Sequence, residues 1–343
     1  MKIYSIQEKK EILDFNAVEV IKLIVCDHDH TLTRPRSQPK PLQSKFLSQN
    51  VASILPNFLL TGPGIVICST SSIPRLIKQY FEAIKDLHNL EKLILIAETG
   101  GIFAIPERKG GRILYKLFLN PINRKRILEC REQILPLVEK ERSDRNSLIF
   151  VNNDLYTHIT IENFTPHLSY SNSFIRDLKS VLENYYDDLW IQISESSSIE
   201  INYKSLTKAL PMQILLKSVE NSYGDVIALG DSEVDEPLFK QAIGFQIFDK
   251  DPDQTKFIKF AKYAILDERA GNAAATLFQE ILKKKKVIPK NVKEFNKDLF
   301  NELKKQEYKI VNEINPQNLM NYYTFPSDIK EKCERLIKMN LGD

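Results

Sequence analysis

Cysteine is scarce and scattered. Cys26, Cys68, Cys130 and Cys333 are the four in the chain and form no CxxC pair, which argues against a zinc ribbon or a disulfide framework. Cys26 and Cys68 sit inside apolar runs, where a thiol serves as a small hydrophobe. Long hydrophobic stretches are also missing. No run reaches the roughly 18 apolar residues of a membrane-spanning helix, and the opening "MKIYSIQEKKEILDF" has no apolar signal-peptide core. The expectation is a soluble protein of a reducing, cytoplasmic compartment, with no transmembrane segment. Charge of one sign is lacking as well: 48 basic and 45 acidic residues leave a net charge of +3, so no nucleic-acid partner is expected and any preference for anions must be local. Only five histidines occur, and there is neither an internal repeat nor a low-complexity segment.

What is present fits a folded globular protein. The 343 residues are 43% hydrophobic and 27% charged, enough for a sizeable core and, by length, for about two domains. The run "VIKLIVC" at 20–26 predicts a strand buried on both faces. After the polar loop "RPRSQPKPLQS", a helical pattern covers 45–55. A second strand, "IVICS" at 65–69, leads into a helix at 73–87 with Pro74 in its first turn. A third, "LILIAETG" at 93–100, again ends in polar residues and glycine. This alternation predicts a parallel, right-handedly wound sheet.

From about 112 the texture changes. "ILYKLFL", a charged helix at 122–140, "SLIFVNN", "YTHITIEN", a helix at 171–186, "LWIQIS" and "SIEINY" read as an α+β module, its strands alternating as half-exposed antiparallel strands do. The first texture then returns with a helix at 208–219, the strand "DVIALGD" at 225–231, a helix at 235–242, "GFQIF", "YAILDERA" and a helix at 271–285. The expected fold is α/β: a Rossmann-like, doubly wound parallel core from 1–107 and 203–285, an inserted α+β domain at 108–202, and a helical appendage at 286–343. The Lys283–Lys286 run beside that appendage is a candidate for peripheral contact with a membrane.

In open parallel sheets ligands gather at the carboxyl ends of strands. Asp27 and Asp29 follow the first strand, Ser69, Thr70 and Ser71 the second, and Asp231, Ser232 and Asp235 the strand "VIAL"; Lys208 opens the helix just before it. Carboxylates gathered in this way repel one another unless a cation lies among them, and oxygen ligands suit Mg²⁺. A carboxylate can attack phosphorus while a second acid protonates the leaving oxygen. A lysine and a small hydroxyl would stabilise the transferring group. A metal clip using His28 and His30 would need more clustered histidines, and His88, His158 and His167 fall in no motif.

These residues resemble the motifs of the haloacid dehalogenase superfamily. "DHDHT", Asp27 to Thr31, matches DxDx[TV], and "GDSEVD", Gly230 to Asp235, matches GDxxxD. Ser69, or alternatively Thr70, fits the second motif, and Lys208, or the weaker candidate Lys204, fits the third. The resemblance implies Asp27 as nucleophile, Asp29 as general acid and base, Ser69 and Lys208 as further catalytic residues, and Asp27, Asp29, Asp231 and Asp235 as the Mg²⁺ site. "AETGG" at 97–101 is similar to a step in members with a large α/β cap between the second and third motifs. Those members act on sugar phosphates. The implied activity is a Mg²⁺-dependent phosphatase working through an aspartyl-phosphate on a small phosphorylated metabolite. The alternatives are a phosphoprotein (phosphotyrosine) phosphatase with a C-terminal targeting segment, a phosphomutase, or an idle binding module. His30 replaces a common glycine, Thr99 a common asparagine, and Ser71 stands where many capped relatives carry arginine.

Overall fold

The computed structural model describes residues 2–5, 20–33, 47–84, 90–122, 124–152, 155–163, 165, 168–193, 198–218, 226–248, 257–266, 270–284, 286–287 and 292–319. Residues 34–44, His88, His167, Lys285, Cys333 and the residues from 320 onward lie outside them. Contacts divide the chain into two compact units, one built from the described parts of 1–120 and of 207 onward, the other from 121–206.

The first unit contains the strands β1 Lys2–Ser5, β2 Val20–Ile21, β3 Leu23–Cys26, β4 Gly64–Cys68, β5 Leu93–Ala97, β6 Ile102–Lys109 and β7 Arg112–Leu119. The second unit holds β8 Ile149–Val151, β9 His158–Asn163, β10 Leu189–Ile193 and β11 Ser198–Tyr203. The chain then returns to the first with β12 Val226–Gly230, β13 Ile243–Phe248, β14 Ala261–Leu266, β15 Lys286–Val287 and β16 Lys309–Ile314.

Ten strands form one sheet in the order β1-β14-β13-β12-β3-β4-β5-β6-β7-β16. Pairing is parallel from β1 through β5 and antiparallel from there to β16. Strand β3 is central, with β4 on one side and β12 on the other. Connections run outward from it in opposite directions, and such a switch of direction opens a crevice at the strand ends. The strand at 20–26 is split at Lys22: Val20–Ile21 pairs with β15, and only Leu23–Cys26 enters the large sheet.

Both faces of the central strands are buried, which is why they read as unbroken apolar runs. Leu23, Val25, Val66, Ile94, Val226 and Ala228 share one cluster with Met212 and Leu215 of the helix Ala209–Ser218 and with Leu238 and Phe239. Each fully buried side chain of this kind contributes about 1.5–3 kcal/mol. The helix Gln49–Thr61 starts later than expected, where the Ser48 hydroxyl accepts the Val51 amide at 3.2 Å, and continues past Pro56. It packs on the helix Ala270–Lys284 through Phe58 and Phe278, whose rings lie 4.6 Å apart.

Two expectations differ from the structure. The strand "ILYKLFL" belongs to the large sheet and not to the insert, because β6 and β7 form a hairpin that extends the sheet beyond β5, and contacts divide the chain after Asn120 instead of near 107. Gly110 and Gly111 close that hairpin with φ of 55° and 79°, the left-handed pair that a two-residue turn requires. Residues 292–319 are not an appendage. The helix Val292–Lys305 buries Phe295, Leu299 and Leu303 in the main cluster, a stripe at four-residue spacing, and β16 then pairs with β7. Tyr308 seals the junction, donating to the Gly100 carbonyl at 2.8 Å and meeting the Phe103 ring edge-on.

The second unit is an antiparallel sheet, β10-β11-β9-β8, with the helices Lys125–Arg145 and Asn172–Glu183. Ile159, Ile161, Ile199 and Ile201 are buried while Thr160, Glu162 and Glu200 between them are half-buried, the alternation that the sequence shows. Among the described residues no helix is long and apolar enough to cross a membrane.

Candidate active site

The site grows from three adjacent strand ends. Asp27 follows β3, and its amide continues the ladder by donating to the Leu229 carbonyl of β12 at 2.8 Å. Ser69 follows β4 and donates in the same way to the Ile96 carbonyl of β5 at 2.9 Å. Asp231 follows β12. Hydrogen bonds of the sheet itself therefore set the backbone positions of Asp27 and Ser69.

Lys208 ties the cluster together. Only 1% exposed, it places Nζ 2.5 Å from Asp27 Oδ1 and 2.6 Å from Asp235 Oδ1. Burial alone would lower its pKa, but Asp235 and Asp27 outweigh that and hold it well above the usual lysine range, so the ammonium stays charged. The second oxygen of Asp235 accepts the amides of Asp231 and Ser232 at 3.0 and 3.1 Å, bracing the turn that carries Asp231. Gly230 allows this closeness, since a Cβ there would lie 2.4 Å from the Asp235 carboxylate. Lys204, the weaker candidate, is exposed, and its amide donates to the Asp188 carbonyl within the second unit.

Asp27 Oδ2 accepts the Thr31 hydroxyl at 3.3 Å. Burial pushes the Asp27 carboxyl well above its ordinary range, Lys208 opposes this, and Asp235, Asp231 and Asp29 add repulsion. One ammonium among these carboxylates leaves excess negative charge. Carboxylate oxygens of Asp27, Asp231 and Asp235 lie within 4.8 Å of one another, and no histidine belongs to this group. A hard, all-oxygen donor set of this kind fits Mg²⁺. The carboxylate of Asp29, expected among the ligands, lies outside this group of carboxylates: Oδ2 accepts the Ser71 hydroxyl at 3.1 Å and Oδ1 lies 3.8 Å from the Arg75 guanidinium. Burial works to raise the Asp29 carboxyl, but His28, Arg75, His30 and the Ser71 hydroxyl together hold it below its ordinary value.

Ser69 is fully buried, and its hydroxyl oxygen accepts the Ser71 amide at 3.0 Å, leaving its own proton for another acceptor. Thr70 is half-buried. Sequence reasoning missed Arg75. Its one signal is its place in the first turn of the helix Ile73–Ile84, which starts directly after the residues that end β4.

The two histidines have backbone and core roles. His28 is buried against Tyr80, 3.1 Å from the phenol oxygen, and burial lowers its pKa to about 4. His30 has φ 59°, in the left-handed region, with its amide donating to the Thr33 hydroxyl at 2.9 Å. That φ explains why glycine suits this position. His30→Gly is expected to change unfolding free energy by no more than about 1 kcal/mol, whereas His30→Val, β-branched at positive φ, should cost about 1–2 kcal/mol more. Denaturant titration separates the two, and equal losses would remove the backbone explanation.

A family model described as haloacid dehalogenase-like hydrolase matches residues 136–248, a span that includes Lys208, Asp231 and Asp235 but not Asp27. Among solved structures, a trehalose-6-phosphate phosphatase related protein is 14% identical with a TM-score of 0.53, the match covering 76% of this chain and 97% of that one. A haloacid dehalogenase-like hydrolase from Bacteroides thetaiotaomicron is 18% identical with a TM-score of 0.52, covering 76% and 99%. A Thermotoga maritima protein is 15% identical with a TM-score of 0.53, covering 76% and 97%. At these identities the likeness is one of fold. No curated protein matches the chain significantly.

Proposed function

We propose that this chain, haloacid dehalogenase-like in fold and in its family match over residues 136–248, is a Mg²⁺-dependent phosphomonoesterase that works through an aspartyl-phosphate on Asp27. The observation that carries the reading is the shared lysine: Lys208 holds Asp27 and Asp235 at one point while Asp29 is turned to separate partners. Two carboxylates two residues apart thereby have separate partners, one beside Lys208 and one beside Ser71 and Arg75.

In the first half-reaction the Asp27 carboxylate attacks phosphorus, the bond from phosphorus to the ester oxygen breaks, and Asp29 delivers a proton to the leaving oxygen. In the second, Asp29 takes a proton from water as that water attacks phosphorus, and the acyl-phosphate P–O bond breaks to release phosphate and restore Asp27. Lys208 offsets charge on the transferring group, and the Ser69 hydroxyl donates to one of its oxygens. A Mg²⁺ ion held by Asp27 and Asp231, with Asp235 bracing the turn, would supply further positive charge at the phosphoryl oxygens.

A sugar phosphate is the substrate class we favour. The α+β unit inserted between Ser69 and Lys208 and the neighbour described as a trehalose-6-phosphate phosphatase related protein support it. Treatment with EDTA is expected to abolish hydrolysis of phosphate esters, and added Mg²⁺ to restore it. Across a panel of phosphorylated metabolites and phosphotyrosine peptides, turnover should be highest on sugar phosphates. A peptide optimum would overturn the substrate class while leaving the chemistry intact; EDTA-resistant turnover would overturn the metal dependence.

A further inference from the structure

Asp29 is the one acid of the strand-end cluster that contacts neither Lys208 nor the metal-binding group, and both of its oxygens are directed elsewhere. Ser71 and Arg75 come from the turn after β4 and from the first turn of the following helix, 42 residues or more along the chain from Asp29. Ser71 is itself fixed, because its amide donates to the buried Ser69 hydroxyl at 3.0 Å. The hydroxyl of Ser71 donates to Asp29 Oδ2 at 3.1 Å, and the Arg75 side chain, 17% exposed, faces Oδ1 at 3.8 Å. The backbone leaving Asp29 is constrained as well, through the left-handed turn at His30. One oxygen of this carboxylate thus has a hydrogen bond and the other a longer ionic contact, both from a neighbouring strand-to-helix junction.

We infer that Ser71 and Arg75 are positioning residues that clamp the Asp29 carboxylate outside the cation site and hold it where it can protonate the leaving oxygen. The inference rests on the phosphatase reading above and adds two residues to it. Without the clamp, a Mg²⁺ ion held by the neighbouring carboxylates would be free to draw Asp29 toward it. A carboxylate drawn there would be lost to proton transfer. The Ser71 hydroxyl and the Arg75 guanidinium meet Asp29 and not Asp27, so their loss should bear on proton transfer more than on the attack at phosphorus.

The consequence is a dependence on leaving group. An alkyl phosphate must be protonated as it departs, whereas a nitrophenyl phosphate leaves as a stabilised anion with little help. The quantity to compare is kcat/KM, because it reports the steps through transfer to Asp27 and not the later hydrolysis that both substrates share. Asp29→Asn serves as the benchmark and should lower kcat/KM for the alkyl ester by about 10²–10⁴-fold, the range of general acid catalysis. For Ser71→Ala and Arg75→Ala, the loss on the alkyl ester should exceed the loss on the nitrophenyl ester by roughly tenfold, in the direction of the benchmark. Arg75→Lys, keeping the charge, should recover part of the difference.

Equal losses on both esters would assign Ser71 and Arg75 a merely structural role and overturn the inference, as would unchanged kinetics on both. Thermal melting of each variant identifies one that has not folded, for which Arg75→Lys carries the comparison. Failure of the underlying reading looks different. In that case the wild-type protein hydrolyses neither ester with Mg²⁺ present, and the clamp falls with it.

Discussion

Asp27→Asn is expected to lower phosphate-ester turnover by about 10⁴-fold or more, since it removes the group that forms the bond to phosphorus and leaves only binding and electrostatics behind. Steady-state assays on an aryl phosphate measure this, and turnover at the wild-type rate would end the proposal. The same substitution takes one acid from Lys208 but leaves Asp235 paired with it and relieves repulsion among the remaining acids, so the fold should tolerate it. Burial and three neighbouring acids raise the Asp27 carboxyl well above its ordinary range. An acid raised in the folded state costs stability once the pH exceeds its unfolded value, and the cost grows until the folded group itself ionises. Asparagine removes that cost. At neutral pH without metal, the variant is expected to melt no lower than the wild type, so loss of activity with a preserved melting temperature separates chemistry from folding.

Lys208→Met should damage both. The ammonium is buried and paired with two carboxylates, and removing one partner from a buried ion cluster typically costs about 3–5 kcal/mol because the remaining charges lose their compensation. The sign follows from linkage as well: a lysine held above its ordinary range contributes stability below that range, hence throughout neutral pH, and loses it only as strongly alkaline solution strips the folded group. Activity is expected to fall by about 10²–10³-fold, the usual loss for one preorganised donor to a transition state. Denaturant unfolding and kinetics on the same preparation measure the two effects. An unchanged stability would mean that the Asp27 and Asp235 contacts contribute little to the folded state.

The central strands were legible in the sequence because burial on both faces leaves a plain signal, and each ends in a polar residue where the sheet stops. "LIVC" and "VIALG" therefore located Asp27 and Asp231 together with their elements. The role of Lys208 needed geometry, since one lysine among many shows its partners only when the helix Ala209–Ser218 brings it beneath two strand ends. The hairpin of β6 and β7 and the strand β16 were not legible as parts of the large sheet. Their residues alternate as any strand does, and nothing in "ILYKLFL" or "KIVNEI" states which edge it joins. The stripe Phe295, Leu299 and Leu303 shows that a helix buries one face but not what lies under it. Arg75 escaped notice because it belongs to no spacing rule. Its relation to Asp29 exists only where two loops of the sheet meet.

The most direct test is to trap the intermediate. The Mg²⁺-loaded wild-type protein, mixed with a good phosphate-ester substrate and quenched in acid during turnover, should yield a peptide containing Asp27 that carries one phosphoryl group by mass spectrometry. That mass should be absent from Asp27→Asn. Continued substrate hydrolysis with no phosphoryl group on Asp27, or with the group on another residue, would contradict the aspartyl-phosphate mechanism.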